Sequence, residues 1–126
     1  MSDIILPDHS RIFITFQKEG IHKYPAAETD PNLKDVSFLA FPHRHIFHFK
    51  VSIQIFHDDR ELEFILVKRK CQNWLNDETL HLDFKSCEMI AQDLYNLIHV
   101  QWPNRAVTVE VSEDGENGAT LSWGRK

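Results

Sequence analysis

An alternating run at residues 45–56, HIFHFKVSIQIF, constrains the fold more than any other part of the sequence. Successive side chains of a strand point to opposite faces, so the run separates into two rows. One row is almost entirely apolar and consists of His45, Phe47, Phe49, Val51, Ile53 and Ile55. The other row is mostly polar. The pattern predicts a long strand with one face buried in the core.

Periodicity and turn residues indicate the remaining elements. They are a strand at 11–16, amphipathic helices at about 63–76 and 87–101, and a final hairpin within 105–123. Ser86 is a plausible N-cap of the second helix. The segment ELEFI could form a short strand leading into the first helix.

This order, β-β-α-α-β-β, predicts an α+β fold in which an antiparallel sheet carries two helices packed on one face. A chain of 126 residues is long enough for a single domain, 1–126, with a real core. The open edges of such a small sheet favour pairing between subunits, and we expect an oligomeric protein. Residues 17–42 contain turn formers and no periodicity, which predicts a long functional loop.

Composition excludes several classes of protein. The net charge of −5 argues against a domain that grips a DNA or RNA backbone. Cys71 and Cys87 lack metal-binding spacing and are expected to be reduced thiols. No stretch approaches the roughly 20 apolar residues of a membrane span, and the first residues do not resemble a signal peptide. We therefore expect a cytoplasmic protein with no membrane partner.

Three segments resemble the T-fold family of pyruvoyl-tetrahydropterin and carboxytetrahydropterin synthases, which form oligomeric barrels. They are HRHIFHFKVSI, SCEMIAQDLYNLI and VTVEVSEDGENGATLSW. The resemblance implies that His43 and His45 bind zinc, with His22 as a possible third ligand. It also implies that Glu113 anchors a pterin ring. Residues i and i+2 of a strand share a face, which allows two histidines to converge on one ion.

The chain departs from that family at positions needed for its reaction. Arg44 replaces the glycine between the two histidines, and DVSFLAFP lacks the expected catalytic cysteine. The Asp-His pair is reduced to a separated Asp77, His81 and Asp83. Without a thiol and its acid/base partner, we expect binding without the family's catalysis. Cys87 is a weak candidate nucleophile, because a helix N-terminus lowers thiol pKa but no histidine is nearby in sequence.

A second resemblance extends over nearly the whole chain. The segments EGIHKYP, HRHIFHFKV, HDDRELEF, SCEMIA and VSEDGENGA are similar to phage Thoeris anti-defence sponge proteins. This resemblance implies non-catalytic sequestration of a cyclic ADP-ribose isomer or a cyclic oligonucleotide in the bacterial host cytoplasm. It implies no cofactor, and it does not identify individual binding residues.

The candidate ligand-binding residues follow from side-chain chemistry. Guanidinium groups match phosphate oxygens, aromatic rings stack on bases, helix N-termini bind anions, and carboxylates or amides accept from ribose and base edges. The candidates are Arg44, Arg60 and Arg105 for phosphate, Tyr24 and Phe41 for stacking, Ser86 and Cys87 at the helix start, and Glu113 and Asn117 for ribose or base edges. A surface charge at Arg44 and a local turn ion pair at Arg60 are the structural alternatives.

The leading hypothesis is therefore a homo-oligomer, with a hexamer as one option, that sequesters a cyclic nucleotide signal without turnover. The alternative is a zinc-dependent pterin synthase-like enzyme that uses His22, His43 and His45. A third possibility is a structural oligomer in which the histidines only stabilise contacts.

Overall fold

The computed structural model describes residues 3–124, which form one five-stranded sheet with helices on one side. The strands are β1 (Arg11–His22), β2 (His43–Gln54), β3 (Leu80–Asp83), β4 (Val107–Glu113) and β5 (Asn117–Trp123). The α-helices are α1 (Ala26–Thr29), α2 (Phe64–Trp74) and α3 (Cys87–Gln101). A 3₁₀ segment, Pro31–Ala40, is kinked at Val36.

The sheet has the order β3-β1-β2-β4-β5 and is mixed. Three pairings are antiparallel, but β3 runs parallel to the end of β1, where Gly20 pairs with Leu80. The expectation of a purely antiparallel sheet is wrong for this reason. After β2 the chain passes through α2 and returns to the sheet beside the end of β1, where it runs in the direction of β1. Parallel neighbours require a crossover connection of this kind. With four residues, β3 is too short for periodicity to identify.

The core lies between the helices and the inner face of the sheet. Phe47, Phe49, Val51 and Ile53 of β2 are buried, as the alternating pattern predicted. The helices contribute the other side of the same cluster, namely Val67 and Cys71 of α2 and Ile90, Ala91, Leu94 and Ile98 of α3. The prediction that two helices cover one face of the sheet is confirmed.

The predicted loop over 17–42 is wrong at its start, because β1 continues to His22 and the rest of the segment contains α1 and the 3₁₀ segment. Gly20 explains why the sequence pattern does not reveal that β1 continues beyond residue 16. A Cβ atom there would lie 2.9 Å from the Phe47 ring and from Leu82 Cδ1. Neighbouring side chains therefore fill the inner face at a position where the sequence shows no apolar residue.

Helix boundaries follow local hydrogen bonds. Ser86 Oγ accepts from Met89 N at 3.2 Å, which confirms the predicted N-cap of α3. Glu63 caps α2 by accepting from Ile65 N at 2.7 Å. ELEFI therefore contains a helix start, and the expected short strand is absent from it. No helix within residues 3–124 is both long enough and apolar enough to cross a bilayer.

Candidate metal centre and adjoining cavity

The strand register gathers four side chains at one end of the inner face. His43 and His45 lie two residues apart on β2 and share that face with buried Phe47. His22 is the cross-strand partner of His43, and facing side chains of paired strands lie close together. Glu113 is paired with Phe47 across β2 and β4 and is therefore a diagonal neighbour of His45.

These four side chains form a compact cluster. One ligand atom from each lies within 4.8 Å of the other three. Glu113 Oε2 lies 2.8 Å from His22 Nε2 and 3.1 Å from His45 Nε2. The ring centroid of His43 lies 4.6 Å from that of His22 and 5.0 Å from that of His45. The predicted grouping of His22, His43 and His45 is thus present as a spatial cluster.

Each histidine of the cluster directs its Nδ1 toward an oxygen that can only accept a hydrogen bond, so each Nδ1 donates. His22 donates to the Lys85 carbonyl and His43 to the Phe41 carbonyl, both at 2.8 Å. His45 donates to Asp114 Oδ2 at 2.7 Å. A neutral imidazole protonated at Nδ1 carries a lone pair on Nε2. Such outer partners are the usual support of metal-binding histidines.

The cluster fits a divalent metal on its own geometry. His45 Nε2 is buried and makes no hydrogen bond, despite its short distance to Glu113 Oε2. The contact between Glu113 Oε2 and His22 Nε2 is within hydrogen-bond distance. An imidazole lone pair and a carboxylate oxygen repel one another unless a proton or a metal ion lies between them, and His45 Nε2 has no such hydrogen bond. Three imidazoles and a carboxylate are ligands that zinc accepts in tetrahedral geometry. His22, His43 and His45 would therefore hold the ion, with the Glu113 carboxylate beside them.

Asp114 belongs to the support of this centre. Its Oδ1 accepts from Ile46 N at 2.9 Å, and its own N–H donates to the Ile46 carbonyl at 2.7 Å. The Ile46 N–H and the His45 side chain hold the pKa of Asp114 below its usual value. Asp114 has a φ of 58° and Gly115 a φ of 72°, so the hairpin turn itself aims the carboxylate at His45.

A cavity of about 500 Å³ opens beside the cluster and shares His22, His43 and Glu113 with it. This volume is in the usual range for small-molecule sites. The remaining walls come from the chain after β1, the 3₁₀ segment, the start of α3 and the hairpin, and consist of Lys23, Tyr24, Leu39, Phe84, Lys85, Ser86, Cys87, Glu88, Met89 and Gly118. The cavity thus joins the histidine cluster to the N-terminus of α3.

Cys87 lines this cavity but is a poor nucleophile. Burial, followed by the negative charges of Glu113 and Glu88, raises the pKa of its thiol to about 11. The sequence-based expectation that the start of α3 lowers this pKa is wrong, because loss of hydration and two nearby carboxylates outweigh the helix end.

The three candidate phosphate-binding arginines do not line the cavity. Arg44 lies on the opposite face of β2 from His43, 3.7 Å from Glu19. Arg60 occupies an exposed turn and contacts Asp59 at 3.2 Å. Arg105 precedes β4, at the far end of that strand from Glu113.

Arg105 is engaged by the protein itself. Its Nη2 donates to Glu61 Oε2 at 2.6 Å, and its Nη1 donates to the Gln54 carbonyl at 2.9 Å. The Arg105 hydrogen bonding to the carboxylate, followed by the Phe56 N–H, lowers the pKa of Glu61 to about 2. This part-buried pair therefore serves as a structural contact in the described chain.

Of the candidate stacking and edge-binding residues, Tyr24 reaches the cavity, and Ser86 lies at its wall. Phe41 has an exposed ring and contributes its carbonyl to His43. Asn117 begins β5 and is paired with Glu113. His81 and Asp83 line a second, smaller cavity of about 280 Å³, which His22 also lines.

Asp114 and the Lys85 carbonyl were not predicted from the sequence as partners of the histidines. No local pattern marks either as a partner of a histidine, since Lys85 is 63 residues from His22 and Asp114 is 69 residues from His45. Glu113 was assigned only to ligand binding, whereas its carboxylate lies within the histidine cluster.

Comparison with solved structures identifies the fold. The chain is similar to Caenorhabditis elegans 6-pyruvoyl tetrahydropterin synthase, with a TM-score of 0.67, 15% identity, and coverage of 96% of this chain and 100% of that one. It is also similar to a catalytic-residue variant of Plasmodium vivax 6-pyruvoyltetrahydropterin synthase, with a TM-score of 0.61, 10% identity, and coverage of 94% and 100%. The expected T-fold-like architecture is confirmed.

No family model matches the sequence, and no curated protein matches it. At these identities the likeness to the synthases establishes the fold alone. It gives no support to the resemblance to anti-defence sponge proteins.

Proposed function

We propose that the chain binds one zinc ion through His22, His43 and His45 and uses the adjoining cavity to hold a small heterocyclic ligand. The observation that carries the proposal is the shared orientation of the three histidines. Every Nδ1 donates to a fixed oxygen, and one ligand atom from each ring and from Glu113 lies within 4.8 Å of the others. A cluster that served only packing would not need all three rings in this tautomer.

The cavity favours a planar ring with N–H and NH₂ groups along one edge, such as a pterin or a guanine. The carboxylate of Glu113 accepts such donors, and the Tyr24 ring offers a surface for stacking. The backbone N–H groups at the start of α3 can donate to a ring carbonyl or a phosphate. The two similar solved structures are named as pterin synthases, which agrees with this ligand class.

Binding without turnover is the better supported use of this cavity. Among the described residues that line it, the one thiol is that of Cys87, whose pKa is raised to about 11. A thiol in this state is almost entirely protonated at neutral pH and does not act as a nucleophile or base. Zinc, when bound, would supply a Lewis acid that polarises an oxygen of the ligand.

Sequestration of a cyclic nucleotide remains our proposal for the biological role. Lys23 and Lys85 are among the residues that line the cavity beside Tyr24, so two basic residues and an aromatic residue adjoin the space for a base and its phosphates. Both lysines form ion pairs within the chain: Lys23 lies 3.8 Å from Asp83, and Lys85 contacts Asp93. A phosphate would have to compete with these carboxylates.

Self-association is part of the proposal. Beyond Gly20–His22, the outer edge of β1 has no partner strand among residues 3–124, and β5 forms the opposite edge of the sheet. Exposed strand edges readily pair with other chains. The candidate role of Arg44 in a shared phosphate site depends on this assembly.

A pterin synthase-like enzyme is the second candidate function, and the histidine cluster itself favours it. An incubate-and-release assay separates the two. The zinc-loaded protein is mixed with a pterin triphosphate, a guanine nucleotide or a cyclic ADP-ribose isomer, depletion is measured, and the protein is then heat-denatured.

We expect depletion followed by recovery of the intact ligand. A chemically altered product would establish the enzyme instead, and absence of depletion for every ligand would contradict both functions. The variant Glu113→Ala tests whether the depletion occurs in this cavity. Glu110→Ala is the matched control, because Glu110 is an exposed residue of the same strand.

A further inference from the structure

We infer that Glu113 is the fourth ligand of the metal, so that the protein alone closes the coordination shell when the cavity is empty. This inference rests on the proposed zinc site and specifies its coordination. The key observation is the position of Glu113 Oε2, which is 2.8 Å from His22 Nε2 and 3.1 Å from His45 Nε2. The carboxylate is thus within the histidine cluster.

The distances agree with a tetrahedral site. Zinc bonds to nitrogen and oxygen of about 2.0–2.1 Å imply about 3.3 Å between neighbouring ligand atoms. The two measured distances from Glu113 Oε2 are within about half an ångström of this value. All four ligand atoms lie within 4.8 Å of one another, so rotations of the side chains would have to bring the more distant atoms closer around one ion.

The charge environment supports the same assignment. Glu113 has a side chain only 28% exposed, and no lysine or arginine within the described chain pairs with it. Its close partners are His22 Nε2, at hydrogen-bond distance, and His45 Nε2, which makes no hydrogen bond. A partly buried carboxylate without a cation is unfavourable, and a divalent ion at the cluster would neutralise it.

The backbone at Glu113 is fixed, which makes the carboxylate a preorganised ligand. Its strand pairs with β2 on one side and β5 on the other. Its carbonyl accepts from Glu116 N at 3.0 Å, and the next residue bonds Ile46 through both backbone and side chain. Only the side-chain torsions of Glu113 remain free to move the carboxylate.

When no ligand occupies the cavity, the bound metal would then have no open coordination position. Closed tetrahedral centres hold zinc tightly, whereas centres that act on substrates keep one position open. A heterocycle that donates hydrogen bonds to the Glu113 carboxylate would have to displace this carboxylate from the metal. Ligand binding and metal coordination would then be coupled through this one side chain.

Cobalt substitution tests the inference directly. Co²⁺ is loaded into the wild type, Glu113→Ala, Glu113→Gln and the control Glu110→Ala, and circular dichroism verifies the fold of each. The visible absorption is recorded while azide, a small anion that binds only at an open position, is added. Zinc affinity is measured in parallel by competition with a chromophoric chelator.

For the wild type and Glu110→Ala we expect spectra that azide does not change. For Glu113→Ala we expect an azide-dependent spectrum and zinc affinity lower by about tenfold or more. Glu113→Gln keeps the size of the side chain and should also lose affinity. Equal azide binding and equal zinc affinity in wild type and Glu113→Ala would overturn the inference while leaving the three-histidine site intact. Failure of all four proteins to bind cobalt or zinc would overturn both.

Discussion

The Nδ1 atom of His45 lies 2.7 Å from Oδ2 of Asp114, and this contact joins the end of the central strand β2 to the β4–β5 turn. Asp114 also accepts from Ile46 N, so a single carboxylate fixes both the backbone and the ring next to it. Carboxylate partners of this kind set the tautomer and orientation of metal-binding histidines.

Replacing Asp114 by Asn should therefore weaken zinc binding while preserving the fold. Asn tolerates the left-handed conformation of this turn and can still accept from Ile46 N. It removes the charged acceptor of His45, and we expect zinc affinity to fall about 10- to 100-fold. Chelator competition measures the change, with the exposed Asp59→Asn as control. Unchanged affinity would show that Asp114 does not position His45.

Zinc should stabilise the folded chain, because the proposed ligands come from three different strands, β1, β2 and β4. A ligand that binds only the native state at 100 times its Kd adds about 2.7 kcal/mol to the free energy of unfolding. Thermal denaturation with zinc and with a chelator should show a higher Tm with zinc for the wild type. The double variant His43→Ala/His45→Ala should show no such difference, whereas His48→Ala, on the outer face of β2, should behave like wild type.

The pair formed by Glu61 and Arg105 should make stability depend on pH at the acidic end. The pKa of Glu61 falls from 4.5 to about 2 in the folded chain. Its stabilisation is therefore fully present above pH 4.5 and is lost as the pH falls toward 2. Urea denaturation across this window should show a smaller loss of stability for Glu61→Gln than for the wild type. Identical pH profiles would contradict the assignment.

Arg105→Ala tests the same pair at neutral pH. The arginine is 14% exposed and also donates to the Gln54 carbonyl, so its removal leaves part-buried acceptors without donors. We expect a loss of about 1–3 kcal/mol in the free energy of unfolding, measured by urea denaturation. Arg60→Ala, in an exposed turn, should change it little. If Arg105 instead bound phosphate, its loss would reduce ligand binding without a comparable loss of stability.

Gly20→Ala should destabilise the protein through overpacking. The added methyl group would lie 2.9 Å from both the Phe47 ring and Leu82 Cδ1, and overfilled cores typically lose about 1–3 kcal/mol. Chemical denaturation should detect this loss, and Thr15→Ala on the exposed face of β1 is the control. A neutral effect would mean that β1 and β3 separate easily at the strand end that carries His22.

The sequence predicted those parts of the fold that depend on local periodicity. The alternation in β2, the Ser86 cap and the final hairpin are all readable within a few residues. The alternation also places His43 and His45 on one face. What could not be predicted depends on pairing between distant segments.

Three features of the site illustrate that limit. His22 joins the cluster only because β1 continues through Gly20, a position with no apolar side chain. Glu113 comes within reach of His45 only through the register of β2 with β4. The parallel strand β3 is too short to recognise in the sequence. The residues that follow it, which present the Lys85 carbonyl to His22, could therefore not be placed either.

The central claim is that His22, His43, His45 and Glu113 hold a metal ion. The most direct measurement is X-ray diffraction from crystals of the zinc-loaded protein, with data on both sides of the zinc absorption edge. The account predicts one anomalous peak per chain, within about 2.0–2.1 Å of the three Nε2 atoms and within about 2.0–2.2 Å of a Glu113 carboxylate oxygen. Absence of a peak at this cluster, with zinc present in the crystal, would contradict it.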